Sequence, residues 1–493
     1  MNMNKFSKTL LASLVTLTSA GAYSAAFQLA EVSTSGLGMA YAGNAAVADN
    51  ASVVATNPAL MTLFKQTEVS VGGIFVDADI NIEGKLNSTG SDASHKNIVP
   101  NAIIPNLYVV SPINDRFSIG GGVNVNYGLK SEFSPNYSAG FFGGRTDLSA
   151  VNVNLSGAYN LGYGFSIGAG INAVHAKAEL ERYLGAIAAR FSEAKQALAN
   201  NQDLIDNAIQ NLKNLETAIA AGNTSLETQK TALLTQVNGL LQANGLSQTI
   251  TTSNQLQLLV NGIASINTDT TIHKLKGDKW GFGWNAGLLY EINENNRLGI
   301  SYHSAINLKF KGKYSNTVAV AIPNVVNTTT GGAEIDGSLT LRLPAYWEVS
   351  GYHKLTEKLA AQYSYKRTNW SSFKSLDAYG QNDNLLFHKV ENFNDSQRIA
   401  FGLSYDLNEM LTLRTGIAYD ESASVRNPSI SIPDTDRTWY SLGATVRATP
   451  NLSVDIGYSH LRGSKLTFNE DNLATFKSRA RANLYGLNVN YKF

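Results

Sequence analysis

Seven histidines, at positions 95, 175, 273, 303, 353, 388 and 460, are the side chains of this chain best suited to proton transfer or metal ligation. Their spacing serves neither purpose, since no HExxH pair and no GxSxG nucleophile turn occurs. Cysteine is absent, which removes thiolate nucleophiles, disulfides and Cys-ligated metal sites together. No metal ligand set and no cofactor motif is legible among them. A hydrolase that assembles its site from distant strands stays open as an alternative. Hydrolysis of an ester or peptide, lost on replacing one of these histidines, would favour it.

The elements that carry these residues are strands. Charged residues make up only 16% of 493 and the net charge is +1, which gives no electrostatic case for a nucleic acid or polyanionic partner. Lys5 and Lys8, the apolar run Leu10 to Leu17 and the small-residue end Ala22-Tyr23-Ser24 read as a secretory signal peptide over residues 1–24, cleaved before Ala25. That run is well short of the ~20 residues a spanning helix needs. No later run approaches that length, so a closed barrel is the remaining way to cross a membrane, because an open sheet edge in lipid leaves backbone groups unpaired.

A two-residue period supports fourteen strands, near 67–83, 100–112, 116–130, 147–160, 163–181, 275–292, 295–312, 334–354, 357–374, 387–406, 409–420, 435–448, 451–467 and 476–493. In the last of these Tyr485, Leu487, Val489, Tyr491 and Phe493 share one face and Gly486, Asn488, Asn490 and Lys492 the other, which suits lipid outside and a wet lumen inside. Val151, Val153, Leu155, Gly157 and Tyr159 form a similar outward face in the fourth. Short turn-forming segments such as Pro112-Ile113-Asn114-Asp115, Asn160-Leu161-Gly162, Asn293-Glu294-Asn295 and Thr449-Pro450-Asn451 alternate with long connections. An even antiparallel barrel predicts this asymmetry, with tight turns and both termini on the periplasmic side. A nonspecific aqueous porin is a further alternative.

Two segments do not follow the period. Residues 25–66 are rich in Gly, Ala, Ser and Asn and hold no regular apolar face, so they need enclosure, and a plug inside the barrel of residues 67–493 supplies it. Residues 182–271 switch to helical spacing: Ile187, Phe191, Ala194 and Leu198, then Leu204 to Ile219, then Leu233 to Leu241, with a break at Gly222-Asn223. These predict an external helical insertion whose stripes either pack on one another or form a greasy landing surface.

The opening segment, FQLAEVSTSGLGMAYAG followed by Asn57-Pro58-Ala59 and Leu60 to Phe64, resembles the N-terminal hatch of the FadL family of outer-membrane long-chain fatty acid transporters. NVNYGLKSEF (124–133), NLSGAYNL (154–161), DKWGFGWNAGLLYE (278–291), YWEVSGY (346–352), SQRIAFGLSYD (396–406), LRTGIAYDES (413–422) and SIPDTDRTWYSLG (431–443) resemble family blocks in the family's order. The final Phe493 resembles the C-terminal signal read by the barrel-assembly machinery. The resemblance implies an all-β transmembrane fold, a 14-stranded antiparallel outer-membrane β-barrel plugged by the hatch. It implies passive uptake of long-chain fatty acids across the bacterial outer membrane by a monomer in contact with outer-membrane lipid, without a cofactor. Related channels pass aromatic hydrocarbons or other apolar molecules, which is the nearest alternative.

By the same resemblance Phe27 touches the ligand, and Arg182 and Lys389 face its polar head. A fatty acid is one carboxylate on a long apolar tail, so an apolar pocket with few well-placed cations suits it. Gly128 falls in the region of an inward kink of the third strand through which ligand leaves sideways, and Asn57-Pro58-Ala59 is the hatch motif beside that kink. A strand glycine accepts the bend of a bulge, and Pro58 fixes one in the plug. Phe141 and Phe142, with Leu184 and Ile187, are candidates for an extracellular capture groove, although the insertion is long for the family.

Overall fold

The computed structural model describes residues 26–243, 249–318 and 321–493. The expected signal peptide lies outside the described residues. Alternating side chains build fourteen antiparallel spans: β1 (Glu68–Leu86), β2 (Ala102–Pro112), β3 (Phe117–Glu132), β4 (Arg145–Gly162), β5 (Phe165–Tyr183) and β6 (Thr271–Asn293). They continue as β7 (Asn296–His303, then Ile306–Ser315), β8 (Ile335–Leu343, then Tyr346–Lys354), β9 (Leu359–Thr368, then Ser375–Tyr379) and β10 (Leu385–Val390, then Ser396–Asp406). The circuit ends with β11 (Leu411–Asp420), β12 (Arg437–Arg447), β13 (Leu452–Gly463, then Leu466–Glu470) and β14 (Ala474–Lys492). β14 pairs with β1 along its whole length, from Glu68 opposite Lys492 to Leu86 opposite Ala474, so the sheet closes on itself.

The faces follow the pattern of the sequence. Tyr485, Leu487, Val489 and Tyr491 point outward and are exposed, whereas Asn488 and Asn490 are buried in the lumen. On β4 Val153, Leu155 and Tyr159 are exposed, but Val151 is buried where β3 bends toward it. The turn expected at Asn160-Leu161-Gly162 falls instead on Tyr163-Gly164, whose φ angles of 52° and 81° are those a two-residue hairpin turn requires.

Five spans expected as continuous are interrupted, at residues 304–305, 344–345, 369–374, 391–395 and 464–465. The insertions at 369–374 and 391–395 send Trp370, Phe373 and Phe393 into the lumen, where all three are buried. Aromatic side chains in a strand pattern read equally well as outward, which is why alternation alone missed the fold-in.

Inside the barrel the plug is held by two short helices, α1 (Thr34–Leu37) and α2 (Val53–Thr56), and a 3-10 helix over Pro58–Leu63. Asn57 initiates the last of these by accepting the amide of Ala59 at 3.0 Å. The plug touches the wall through inward glycines. A Cβ on Gly416 would lie 2.2 Å from the carbonyl of Met39, and one on Gly287 only 1.8 Å from Asn57 Oδ1. Backbone meets backbone at Gly416 and the Asn57 side chain at Gly287, leaving no room for a side chain at either.

The insertion between β5 and β6 folds as α3 (Ser192–Asn200), α4 (Gln202–Ala220), α5 (Glu227–Ala243) and α6 (Ser253–Ser265). Its stripes pack on one another, with Leu212, Val237, Leu241, Leu256, Leu259 and Ile263 in one core. Leu204 and Leu258 remain exposed at its surface. No helix among the described residues is long and apolar enough to cross a membrane.

Candidate functional site

Above the plug, the inward residues of β3 to β8 change from asparagine to apolar. The polar layer comes first. Asn152 Nδ2 donates to Asn124 Oδ1 at 3.1 Å, and Asn154 and Asn172 each donate to Asn285 Oδ1 at 3.0 Å. The amides satisfy much of one another's hydrogen bonding, while Asn152 Oδ1 and Asn285 Nδ2 stay buried without a partner.

Beyond that layer lies a largely apolar cavity lined by Phe27, Leu129, Leu148, Leu180, Phe310, Leu339, Phe373 and Ile432. Gly277, Gly312 and Gly337 stand in one register row across β6, β7 and β8 on its wall and supply much of its width by lacking side chains. Phe27 closes the plug end. It is 1% exposed, and its ring meets Trp370 edge-on at 4.6 Å, Phe373 at 5.7 Å and Tyr127 at 6.3 Å. Such edge-to-face contacts add to area burial and fix the rings.

Asp147, Glu179, Lys276 and Lys313 also line the cavity, and two further cations stand next to its lining residues. Arg182 follows cavity-lining Leu180 on β5, and Lys389 stands opposite cavity-lining Leu376 in the β9–β10 register. Arg182 is buried and donates to the carbonyls of Glu181 (2.8 Å) and Arg145 (3.0 Å) and to Thr146 Oγ1 (3.0 Å). Lys389 Nζ donates to Ser429 Oγ at 2.6 Å and Ser431 Oγ at 2.8 Å. Two buried carboxylates share the cluster: Glu391 lies 3.4 Å and Glu470 4.0 Å from Lys389 Nζ. Arg182 feels both acids electrostatically. The structure thus brings the two cations into one cluster, and adds two acids that sequence reasoning did not single out.

β3 is detached from β2 beside the cavity. Their ladder ends at Leu107 opposite Val123, and β3 carries an extra residue, Asn126, against β4. The plug takes the vacated edge: Leu29 donates to the carbonyl of Asn126 at 2.8 Å and Gly128 to that of Phe27 at 2.9 Å. The bend therefore centres on Asn126, and Gly128 is a pairing residue just beyond it. Asn57-Pro58-Ala59 is not beside this bend. Asn57 donates to the carbonyls of Ala45 (2.7 Å) and Leu288 (3.2 Å), and Pro58 and Ala59 pack on Gly168, so the motif sits against β5 and β6.

Ionisable groups hold the start of the plug. Glu31 is wholly buried, and burial raises its carboxyl from 4.5 to about 7 against the opposing pull of Arg398 and Arg437. Asp434, in the loop before β12, is also pushed up by burial, while Arg437 and the amides of Ala26 and Ala423 pull it down. The SIPDTDRTW block thus anchors the residue next to Phe27.

The capture-groove candidates are placed differently from expectation. Phe142 is buried, and Leu184 and Ile187 lie in the core of the helical insertion. Phe141 is half-buried, its ring tilted at 56° to that of Phe142 with centroids 4.6 Å apart, and packs against both cores. The four form a joint between the barrel rim and the insertion, not an open groove. The histidines remain apart, and no group of three metal-ligating side chains occurs among the described residues.

Comparison with known proteins agrees with this architecture. Residues 15–493 match the model of the family described as outer membrane protein transport protein (OMPP1/FadL/TodX). The 47 kDa outer membrane protein of Pasteurella multocida is 51% identical, with 99% of each chain covered. The long-chain fatty acid transport protein of Escherichia coli strain K12 is 40% identical, with 99% of each chain covered. The crystal structure of a Pseudomonas aeruginosa FadL homologue superposes with a TM-score of 0.71 at 20% identity, covering 95% of this chain and 100% of that one. A plugged fourteen-stranded barrel, an apolar cavity above the plug and a whole-chain family match lead to one conclusion: the chain belongs to the FadL family of outer-membrane proteins that transport hydrophobic compounds.

Proposed function

We propose that the cargo is a long-chain fatty acid, taken up passively and without chemical change. The observation that carries this reading is the largely apolar cavity between Phe27 and Leu180, with Arg182 and Lys389 next to its lining residues Leu180 and Leu376. An apolar hydrocarbon gains nothing from two buried cations, whereas a carboxylate gains charge-assisted hydrogen bonds from both. Cargo enters the cavity with its head at the cation cluster and its tail toward Phe27, and leaves sideways. The asparagine layer supports the sideways route, because a dry tail would have to displace hydrogen-bonded amides to go straight down. At that height the β2–β3 ladder is missing and only the plug residues 27–29 fill the edge. The protein acts as a monomer in outer-membrane lipid, with Phe493 read by the barrel-assembly machinery and residues 1–24 removed on export.

Deleting Asn126 tests the exit. The deletion removes the extra residue of β3 and lets its ladder to β2 continue. The expected result is unchanged oleate binding by the purified barrel with oleate uptake by cells reduced at least tenfold. Uptake at the normal rate would refute lateral exit.

A further inference from the structure

The outer wall carries a second charged feature, remote from the lumen. Lys177 on β5, Lys309 and Lys311 on β7 and Arg342 on β8 all point away from the barrel and are exposed. They are register neighbours: Lys177 stands opposite Asp278, Asp278 opposite Lys311, and Lys311 opposite Ser338, with Lys309 and Arg342 below them on the same face. Lys309 and Lys311 are about 7 Å apart along one strand, and Lys177 and Lys311 roughly 10 Å apart across two strand spacings.

The carboxylates of this face other than Asp278 are committed elsewhere. Glu334 pairs with Lys276 at 2.5 Å, Asp336 with Lys313 at 2.6 Å, Glu181 with Lys274 at 3.3 Å and Glu179 with Arg145 at 3.7 Å. Asp278 lies 3.2 Å from His175. None of Lys177, Lys309, Lys311 and Arg342 makes an ion pair among the described residues. Four cations thus stand around a single carboxylate, Asp278, in a chain whose whole net charge is +1. Their height is informative. Exposed Trp280, Phe282 and Trp284 continue this wall toward the membrane centre, the first two in the rows of Lys309 and Arg342, as an aromatic girdle of the kind that marks a lipid–water boundary.

We propose that this face binds the phosphorylated headgroup of a glycolipid in the outer leaflet, with its acyl chains lying on the aromatic wall below. Clustered cations at headgroup height recognise phosphate, and a headgroup bearing two phosphates neutralises the four together at the observed spacing. A soluble phosphate would lack the apolar half of the site. Bound lipid stiffens the wall of β5 to β8, the strands whose inner faces form the cargo cavity.

The test uses the full barrel in detergent and diphosphoryl lipid A as probe, with bound lipid counted by native mass spectrometry and unfolding followed by heating. Wild type is expected to retain the diphosphoryl lipid and to unfold at a higher temperature with it, an effect that fades with salt. Dephosphorylated lipid A and inorganic phosphate should do neither. K177Q/K309Q/K311Q/R342Q should lose at least tenfold in lipid affinity while keeping oleate binding, and the smaller K309Q/K311Q should lose a measurable part if the quadruple variant does not fold. Neutralising the Glu83–Lys477 pair on the opposite wall, 3.1 Å apart, should change nothing. Equal retention by wild type and K309Q/K311Q, equal retention of the dephosphorylated lipid, or an equal effect of inorganic phosphate would each overturn the proposal.

Discussion

Replacing Glu391 with Gln should tighten fatty acid binding, although it removes a charge from the very cluster proposed to hold the ligand's head. In the structure Lys389 is shared between Glu391 at 3.4 Å and Glu470 at 4.0 Å, so an incoming carboxylate is a third anion around two cations. A ligand carboxylate that reaches Lys389 comes to about 6 Å from that of Glu391, where like charges repel by about 3 kcal/mol at an effective dielectric of ~20. Gln also gives up its charged contact with Lys389, a loss of about 1 kcal/mol that the ligand replaces. The net gain is roughly 1–2 kcal/mol, or about a five- to thirtyfold lower Kd. Calorimetric titration of the purified E391Q barrel with oleate, beside a neutral hydrocarbon of similar length, reads it directly. Oleate affinity that is unchanged or weaker in E391Q would refute the reasoning, as would an equal gain for the hydrocarbon, which carries no charge to be repelled.

Three further outcomes follow from the packing. Trp370→Ala empties a fully buried site against Phe27, so it should cost about 3–5 kcal/mol in resistance to unfolding and widen the cavity, weakening oleate binding in a titration. Gly287→Val places side-chain atoms where Asn57 Oδ1 now lies, so the plug cannot seat; planar-bilayer recordings should show ion conductance absent from wild type. The Glu31 carboxyl is raised from 4.5 to about 7, so its folded-state pKa exceeds its unfolded one. Its contribution to stability is therefore fully present below about pH 4.5 and lost as pH rises through about 7, worth about 3 kcal/mol at most. Thermal unfolding at pH 5 and pH 8 should show wild type losing stability with rising pH more than E31Q.

Strand count, closure and facing were legible because they depend on local alternation: Tyr485 to Tyr491 and Asn488 to Asn490 fall where a period of two puts them. The plug was legible from the opposite property, a segment with no face to bury. What could not be read is where a strand folds inward. Residues 369–374 and 391–395 hold the aromatic box around Phe27, and whether Trp370 faces lipid or lumen is decided by a backbone detour with no signature in alternation. The cations Arg182 and Lys389 came from family resemblance. Their partners Glu391 and Glu470 were missed because the two acids meet only through the barrel's closure, 79 residues apart in sequence by their numbers. Gly128 was a near miss of the same kind, since the extra residue that bends β3 is Asn126 and only pairing with a neighbouring strand defines an extra residue.

The central claim is that one cavity binds an apolar chain and its carboxylate at once, and equilibrium binding to R182M/K389M tests it most directly. Oleate should lose at least tenfold in affinity while a neutral hydrocarbon of similar length binds as it does to wild type, in a barrel whose unfolding is otherwise unaltered. Undiminished oleate binding by the double variant would contradict the account.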